Sequence, residues 1–385
     1  MKRFYILLFF SFFFLSSCNS QVIPAAESME EYLSLLDGKR VALVANQTSM
    51  VGTNHLLDTL LCRDIDIKKI FTLEHGFRGK ADAGQHINSG KDVKTGISIV
   101  SLYGKHKKPS VNDLKNIDVI LFDIQDVGVR FYTYISSLHY IMEACAENDI
   151  ELVLLDRPNP NGFYIDGPVL EDKYKSFVGM HNVPIVYGMT IGEYARMIKG
   201  ENWIKSADNC NLKVIKLDNW THKTKYILPI KPSPNLPNEE SILLYPSLCF
   251  FEGTIVSAGR GTSFPFQVYG MPDLQESNFL FTPKSIIGAS KYPKFRNKEC
   301  KGKDLRGDGY LIREKSQLNL SYLISAYRNY KETDIFFNNF FEKLAGTSSL
   351  RKQIKEGKTE VEIRKSWQKG INEFKEIRNR YLIYK

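Results

Sequence analysis

Lys68-Lys69-Ile70-Phe71-Thr72-Leu73-Glu74-His75-Gly76-Phe77-Arg78-Gly79 opens as an apolar run and breaks off at Glu-His-Gly. An apolar run closed by glycine predicts a buried strand entering a tight loop. Open α/β sheets bind their ligands just beyond the carboxyl ends of their strands, and Glu74 and His75 fall at that edge. The residues permit two readings of Glu74: a group presented to a substrate, or a loop residue that pairs with Arg78 or caps a turn. The positions of the other polar residues along the chain favour the first.

Arg40 to Asn46, Ser98 to Tyr103, Asp118 to Asp123, Glu151 to Asp156 and Leu212 to Leu217 are further apolar runs. Helical periodicity separates several of them. Leu56, Leu57, Leu60 and Leu61 share one face, and Ile135, Leu138, Ile141, Met142 and Cys145 stripe a predicted helix over Tyr134 to Asn148. Strands alternating with helices predict an α/β fold with a parallel sheet and right-handed crossovers. Asn46, Glu74, Tyr103, Asp123 and Asp156 then stand at successive strand ends. Such a row of polar residues along one sheet edge is the strongest sign of a site.

Two loops at that edge are unusually rich in polar groups. Asp123-Ile124-Gln125-Asp126-Val127-Gly128-Val129-Arg130-Phe131-Tyr132-Thr133-Tyr134 carries two acids, an arginine and two tyrosines, and Asp156-Arg157-Pro158-Asn159-Pro160-Asn161-Gly162 is stiffened by prolines. Loops on a rigid sheet commonly hold ligands; Asp–Arg pairing that only stiffens them is the alternative. Thr190 and Glu193 have capping-box spacing and read as structural. Lys231-Pro232-Ser233-Pro234-Asn235-Leu236-Pro237-Asn238 is a stiff connector, so the chain divides into residues 38–232 and 233–385. Past the connector, Phe251-Glu252-Gly253-Thr254 and Gly259-Arg260-Gly261-Thr262 repeat the acid, glycine and arginine of the first site. A short lead-in helix over Ser28 to Leu36 precedes the first strand. From Leu311 onward the pattern is mainly helical, with Ile363, Trp367, Ile371, Phe374 and Ile377 striping the last helix.

The chain has 385 residues, 43% hydrophobic and 12% aromatic, a globular composition with room for two cores. Its formal net charge is +9, but the basic residues are scattered. That argues against nucleic acid and suits an anionic cell-wall polymer or sugar acid. Met1-Lys2-Arg3, an apolar stretch to Leu15 and Leu15-Ser16-Ser17-Cys18 resemble a bacterial lipoprotein signal. That implies a signal over residues 1–18, lipidation of Cys18, a tether over 19–37, and a place at the cell envelope as a periplasmic or outer-membrane lipoprotein. The five other cysteines are an odd number, against a complete disulfide framework. Cys62 and Cys145 fall on apolar helix faces and read as buried thiols, while Cys210 and Cys300 are a candidate disulfide pair.

Serine-elbow, Walker A, HExxH and GxGxxG motifs are absent, and no cysteine–histidine spacing suggests zinc. Carboxylates, tyrosines, arginines and asparagines at a sheet edge fit carbohydrate binding, and glycoside hydrolysis needs a carboxylic proton donor. The quoted motifs around Glu74, Asp123–Tyr134, Asp156–Pro160, Pro232–Asn235, Phe251–Thr254 and Gly259–Thr262, taken in order, resemble the NamZ family of exo-acting β-N-acetylmuramidases. The resemblance runs from about Gly38 to the C-terminus. It implies a Rossmann-like domain followed by a smaller α+β domain with the site in the cleft between them, release of single N-acetylmuramic acid residues from peptidoglycan fragments, and no metal or nucleotide cofactor. It places Glu74 as general acid/base, with Asp123, Asp126 or Glu252 as second carboxylate, or with the substrate's own 2-acetamido group as nucleophile. Substrate contacts are expected from Asn46, His75, Tyr132, Tyr134 and Asn159, and from Arg78, Arg130, Arg157 or Arg260 to the lactyl carboxylate. The implied partners are muropeptides or disaccharides and, through Cys18, a membrane. Two readings compete: a lipid-anchored glycan-binding protein without catalysis, and an amidohydrolase or esterase acting on cell-wall substituents.

Overall fold

Seven strands form the central sheet: β1 (Val41–Ala45), β2 (Ile67–Thr72), β3 (Gly90–Lys91), β4 (Ser98–Ser101), β5 (Val119–Asp123), β6 (Glu151–Leu155) and β7 (Leu212–Ile215). The structure, a computed structural model, describes residues 21–74, 76–77, 90–275 and 277–384. The spatial order is β3-β4-β2-β1-β5-β6-β7. Every neighbouring pair is parallel except the short edge pair β3 and β4. Without β3 this is the doubly wound Rossmann order, whose switch point lies between β1 and β5.

β1 and β5 are buried along their whole length, as continuous apolar runs covered on both faces must be. Alternate residues divide between two cores. Ala42, Val44, Phe71, Phe122 and Leu154 point into the larger one, with the helices α2 (Tyr134–Glu147) and α3 (Ile191–Gly200). Val41, Leu43, Ile70, Leu121 and Val153 point into the other, with α1 (Leu56–Leu61), Tyr32 and Leu36. The capping box at Thr190 and Glu193 is present at the start of α3. The lead-in segment is two 3₁₀ turns, Ala25–Glu27 and Met29–Glu31, then one α-turn, Leu33–Leu36, rather than one helix.

The second half begins with α4 (Glu239–Leu248), followed by an antiparallel sheet of β8 (Val268–Met271), β9 (Phe279–Phe281) and β10 (Cys300–Asp304), with β10 in the middle. The helices α5 (Gly309–Lys315), α6 (Ser321–Arg328), α7 (Phe341–Ala345), α8 (Ser349–Lys355) and α9 (Glu360–Asn379) complete it. Ile363, Trp367, Ile371 and Phe374 of α9 are buried in the same cluster as Phe122 and Leu154 of the first sheet. The end of the chain also returns to the first half, where the Tyr384 hydroxyl donates to Asp156 Oδ2 at 2.7 Å.

Cys145 is buried as expected, but three other cysteines depart from expectation. Cys210 and Cys300 are both free and buried, one before β7 and the other opening β10 in the opposite half of the molecule. Cys62 is exposed, because α1 ends at Leu61 and leaves it at the cap outside the apolar stripe. Cys18 lies outside the described residues.

Candidate active site

Glu74 stands two residues past the end of β2, after Leu73, which is buried in the core. Gly76 takes a positive φ of 74° and donates its N–H to Leu73 O at 3.1 Å, closing a tight turn. Phe77 is buried with its ring edge-on to His55 at 4.9 Å. The turn thus swings the partly exposed Glu74 carboxylate away from the core. Tyr103 donates its hydroxyl to Oε1 at 3.2 Å and Thr133 donates to Oε2 at 3.3 Å. The Tyr134 hydroxyl reaches the Glu74 carbonyl at 3.4 Å and itself accepts from Asn46 Nδ2 at 3.1 Å. Asn46 is fixed in turn by Thr48, whose N–H and hydroxyl both donate to Asn46 Oδ1, at 2.8 and 2.6 Å. Asn46 is fully buried, so it orients Tyr134 and does not line the cleft.

The crevice at the switch point, where a dinucleotide sits in many Rossmann folds, is filled by the chain itself. Arg157 grips Asp123 through Nε at 2.5 Å and Nη2 at 2.7 Å. Ser49 donates to the Asp123 carbonyl at 2.5 Å. The Asp123 side chain is wholly buried. The candidates Asp123 and Arg157 are therefore each other's partners.

Other expected site residues also prove internal. Asp126 accepts from the Gly128 N–H at 2.7 Å and from the Tyr187 hydroxyl. Burial pushes its carboxyl up to about 6. Gly128 has φ +74°, and a Cβ there would lie 2.3 Å from the Asn159 amide. Asn159 donates to Met189 O and accepts from the Asn161 N–H, both at 2.8 Å. Arg130 is fully buried and donates to four carbonyls, those of Pro168, Val183, Leu344 and Ala345, at 2.7 to 3.0 Å. It joins the two halves of the molecule and is not free for a ligand. His75 and Arg78 lie outside the described residues.

The second half supplies the facing wall. Glu252 sits in the short 3₁₀ segment Cys249–Gly253 and pairs with Arg260 Nε. Arg260 packs over the Phe266 ring at 5.1 Å. Beneath them Lys294 Nζ donates to the carbonyls of Phe251, Thr254 and Val256 at 2.7, 2.5 and 3.1 Å, holding the turn that carries Glu252. Burial pulls the Lys294 ammonium down to about 8.

Glu74, Glu252 and Arg260 line one cleft of about 800 Å³, its solvent mouth included. Tyr103, Phe131, Tyr132, Tyr134, Phe177, Tyr245, Phe266 and Phe340 supply its aromatic surface. Tyr132 donates to Pro232 O at 2.9 Å and meets Tyr134 edge-on at 4.9 Å. Tyr245 on α4 meets Phe131 and Phe266 edge-on at 5.3 and 4.9 Å. Among the described residues, no group of three or more His, Cys, Asp or Glu is arranged to hold a metal ion.

Thr133, Tyr245, Phe340 and Lys294 were not legible as site residues. Thr133 sits inside a quoted motif, but a hydroxyl between two tyrosines carries no signal of its own. Tyr245 and Phe340 lie in apolar stretches that read as core.

This fold and cleft define a two-domain α/β protein in which a Rossmann-type sheet and a smaller α+β unit present carboxylates to one aromatic-walled site. Family models described as exo-beta-N-acetylmuramidase NamZ match residues 41–240 (the N-terminal part) and 243–384 (the C-terminal part). The chain belongs to the NamZ family. It is 39% identical to the peptidoglycan beta-N-acetylmuramidase NamZ of Bacillus subtilis over 92% of this chain and 89% of that protein. A crystal structure of a DUF1343 family protein from Bacteroides fragilis superposes with a TM-score of 0.88 at 48% identity, covering 95% of this chain and 99% of the other. A second DUF1343 family protein from the same bacterium gives 0.76 at 29% identity, covering 94% and 99%.

Proposed function

We propose that this chain is an exo-acting β-N-acetylmuramidase that releases N-acetylmuramic acid from the non-reducing ends of peptidoglycan fragments. Family membership and the 39% identity to a peptidoglycan β-N-acetylmuramidase support it. The observation that carries it is the convergence of Glu74 and Glu252, from the two halves of the molecule, on one aromatic cleft.

In this reading Glu74 protonates the glycosidic oxygen as the bond breaks and later takes a proton from water. The Tyr103 and Thr133 hydroxyls hold its two oxygens in place. Glu252 is the second carboxylate, since Asp123 and Asp126 are buried and committed elsewhere. Its Oε1 is taken by Arg260. An arginine-paired carboxylate is a poor nucleophile, so Glu252 serves by orienting the 2-acetamido N–H while the acetamido carbonyl attacks the anomeric carbon. Arg260 is the arginine in the cleft among the described residues. Its terminal nitrogens are the donors for the lactyl carboxylate. The aromatic rings cover the apolar faces of the sugar.

Placement at the cell envelope through a lipid on Cys18 belongs to the same proposal and rests on the Leu15–Cys18 motif. Labelled palmitate should be incorporated in cells expressing the protein and lost in Cys18→Ala.

The principal test is Glu74→Gln. The variant is expected to fold normally and to lose release of N-acetylmuramic acid from a chromogenic muramide. Turnover near that of the wild type would remove Glu74 from the mechanism. Saturable muropeptide binding by the wild type with no sugar released would favour a binding protein instead.

A further inference from the structure

The basic residues are less evenly scattered than their spread along the chain suggests: residues 284–306 hold eight Lys and Arg against two acids, which is six of the formal net charge of +9. The charge lies on the loop before β10 and on β10 itself. Lys284, Lys291, Arg296 and Lys298 are exposed. A charge run by itself is a solvated face. This one is bolted to the rim of the cleft. The Lys284 N–H donates to Gly261 O at 2.7 Å, beside Arg260. Asn235, which lines the cleft, donates through Nδ2 to Ala289 O at 2.7 Å. Gly261 makes the close approach possible. It has φ +82°, and a Cβ there would lie 2.6 Å from both Lys284 O and the Pro293 ring.

The join forms a second groove of about 890 Å³, its solvent mouth included, lined by Asn235, Pro237, Thr262, Pro265 and Ile287 among others. Asn235 belongs to both, so the groove continues the cleft outward. The loop that lines the groove through Ile286 to Ala289 runs on to Tyr292, 75% exposed, with Lys291 Nζ and the Arg296 guanidinium over its ring at 5.5 and 5.6 Å from the centroid. The weakly negative ring face holds the two cations at the surface. Cations beside it attract carboxylates.

We propose that the groove and the Lys284–Arg296 rim form a binding track for the leaving part of an anionic glycan strand whose terminal sugar occupies the cleft. This rests on the muramidase reading and extends its site from the terminal sugar to the strand that leaves. A lipid headgroup surface would also meet cations and a tyrosine. Continuity of the groove with the cleft favours the glycan.

The test is co-sedimentation of the full-length Glu74→Gln protein with insoluble peptidoglycan, with and without Tyr292→Ala and Arg296→Glu. Both positions are exposed, so the fold is expected to survive. Retention at low salt should fall roughly tenfold with the added pair and be lost for both proteins at high salt, as screening requires. With Glu74 restored, the same pair should lower kcat/KM on long glycan strands about tenfold relative to a chromogenic muramide, which fills the cleft alone. Unchanged retention and an unchanged ratio would overturn the track. So would loss of retention on anionic phospholipid vesicles with none on peptidoglycan. Failure of the muramidase reading would show separately, as absence of released sugar whatever the retention.

Discussion

Lys294 places a positive charge inside the protein directly beneath the turn that carries Glu252. Its three ammonium protons are directed at the carbonyls of Phe251, Thr254 and Val256, with the Glu252 carbonyl a fourth and longer contact at 3.5 Å. The charged or titratable groups around it are Glu252, Arg260 and Cys249. Burial lowers the ammonium from 10.5 to about 8, so holding it charged in the fold costs roughly 3 kcal/mol more than in the unfolded chain. Between pH 8 and 10.5 the unfolded chain still holds this proton while the folded chain has released it. Stability then rises with pH, because the unfolded state binds more protons. In Lys294→Met that contribution is gone. The stability of the variant relative to wild type, from urea unfolding at a series of pH values, should therefore fall by roughly 3 kcal/mol across that window. Activity should run the other way. A neutral amine has two protons for three carbonyls, so the Glu252 turn loosens as pH passes 8. Lys294→Arg keeps its charge there, and the ratio of its turnover to that of wild type should climb through the same pH. A stability difference independent of pH, together with a flat activity ratio, would refute the reasoning.

Removing the two hydroxyls on the Glu74 carboxylate, Tyr103→Phe and Thr133→Val, should lower kcat by about tenfold each on a chromogenic muramide with little change in KM, since orientation is lost and sugar contacts are kept. Arg130→Met should cost about 3 kcal/mol or more in urea unfolding, because four buried carbonyls lose their donor. In the molecules that still fold KM should change little, as Arg130 does not line the cleft and reaches its wall only through the Leu344 carbonyl.

Arg130 and Asp123 show where sequence reading ends. Both stand in a polar loop at a strand end, and a loop of that composition is equally suited to hold a ligand or to hold itself together. The difference is burial. Asp123 lies at the carboxyl end of β5, on the switch point, but Arg157 and Ser49 arrive from two other loops and close the crevice over it. No local spacing encodes that meeting. Asn46 failed in the same way, since its partner Tyr134 is 88 residues away.

The sequence by itself determined the sheet. Apolar runs of strand length, alternating with helical stripes and each ending in a polar residue, admit few arrangements, because both faces of a parallel sheet must be covered and crossovers have one hand. It also determined that Glu74 stands at an edge, since the glycine turn following β2 is local chemistry. Only the tertiary structure decided which carboxylate joins it. Glu252 reaches the cleft because one core runs through both halves of the chain and clamps them together, and such long-range packing leaves no periodic mark along the sequence.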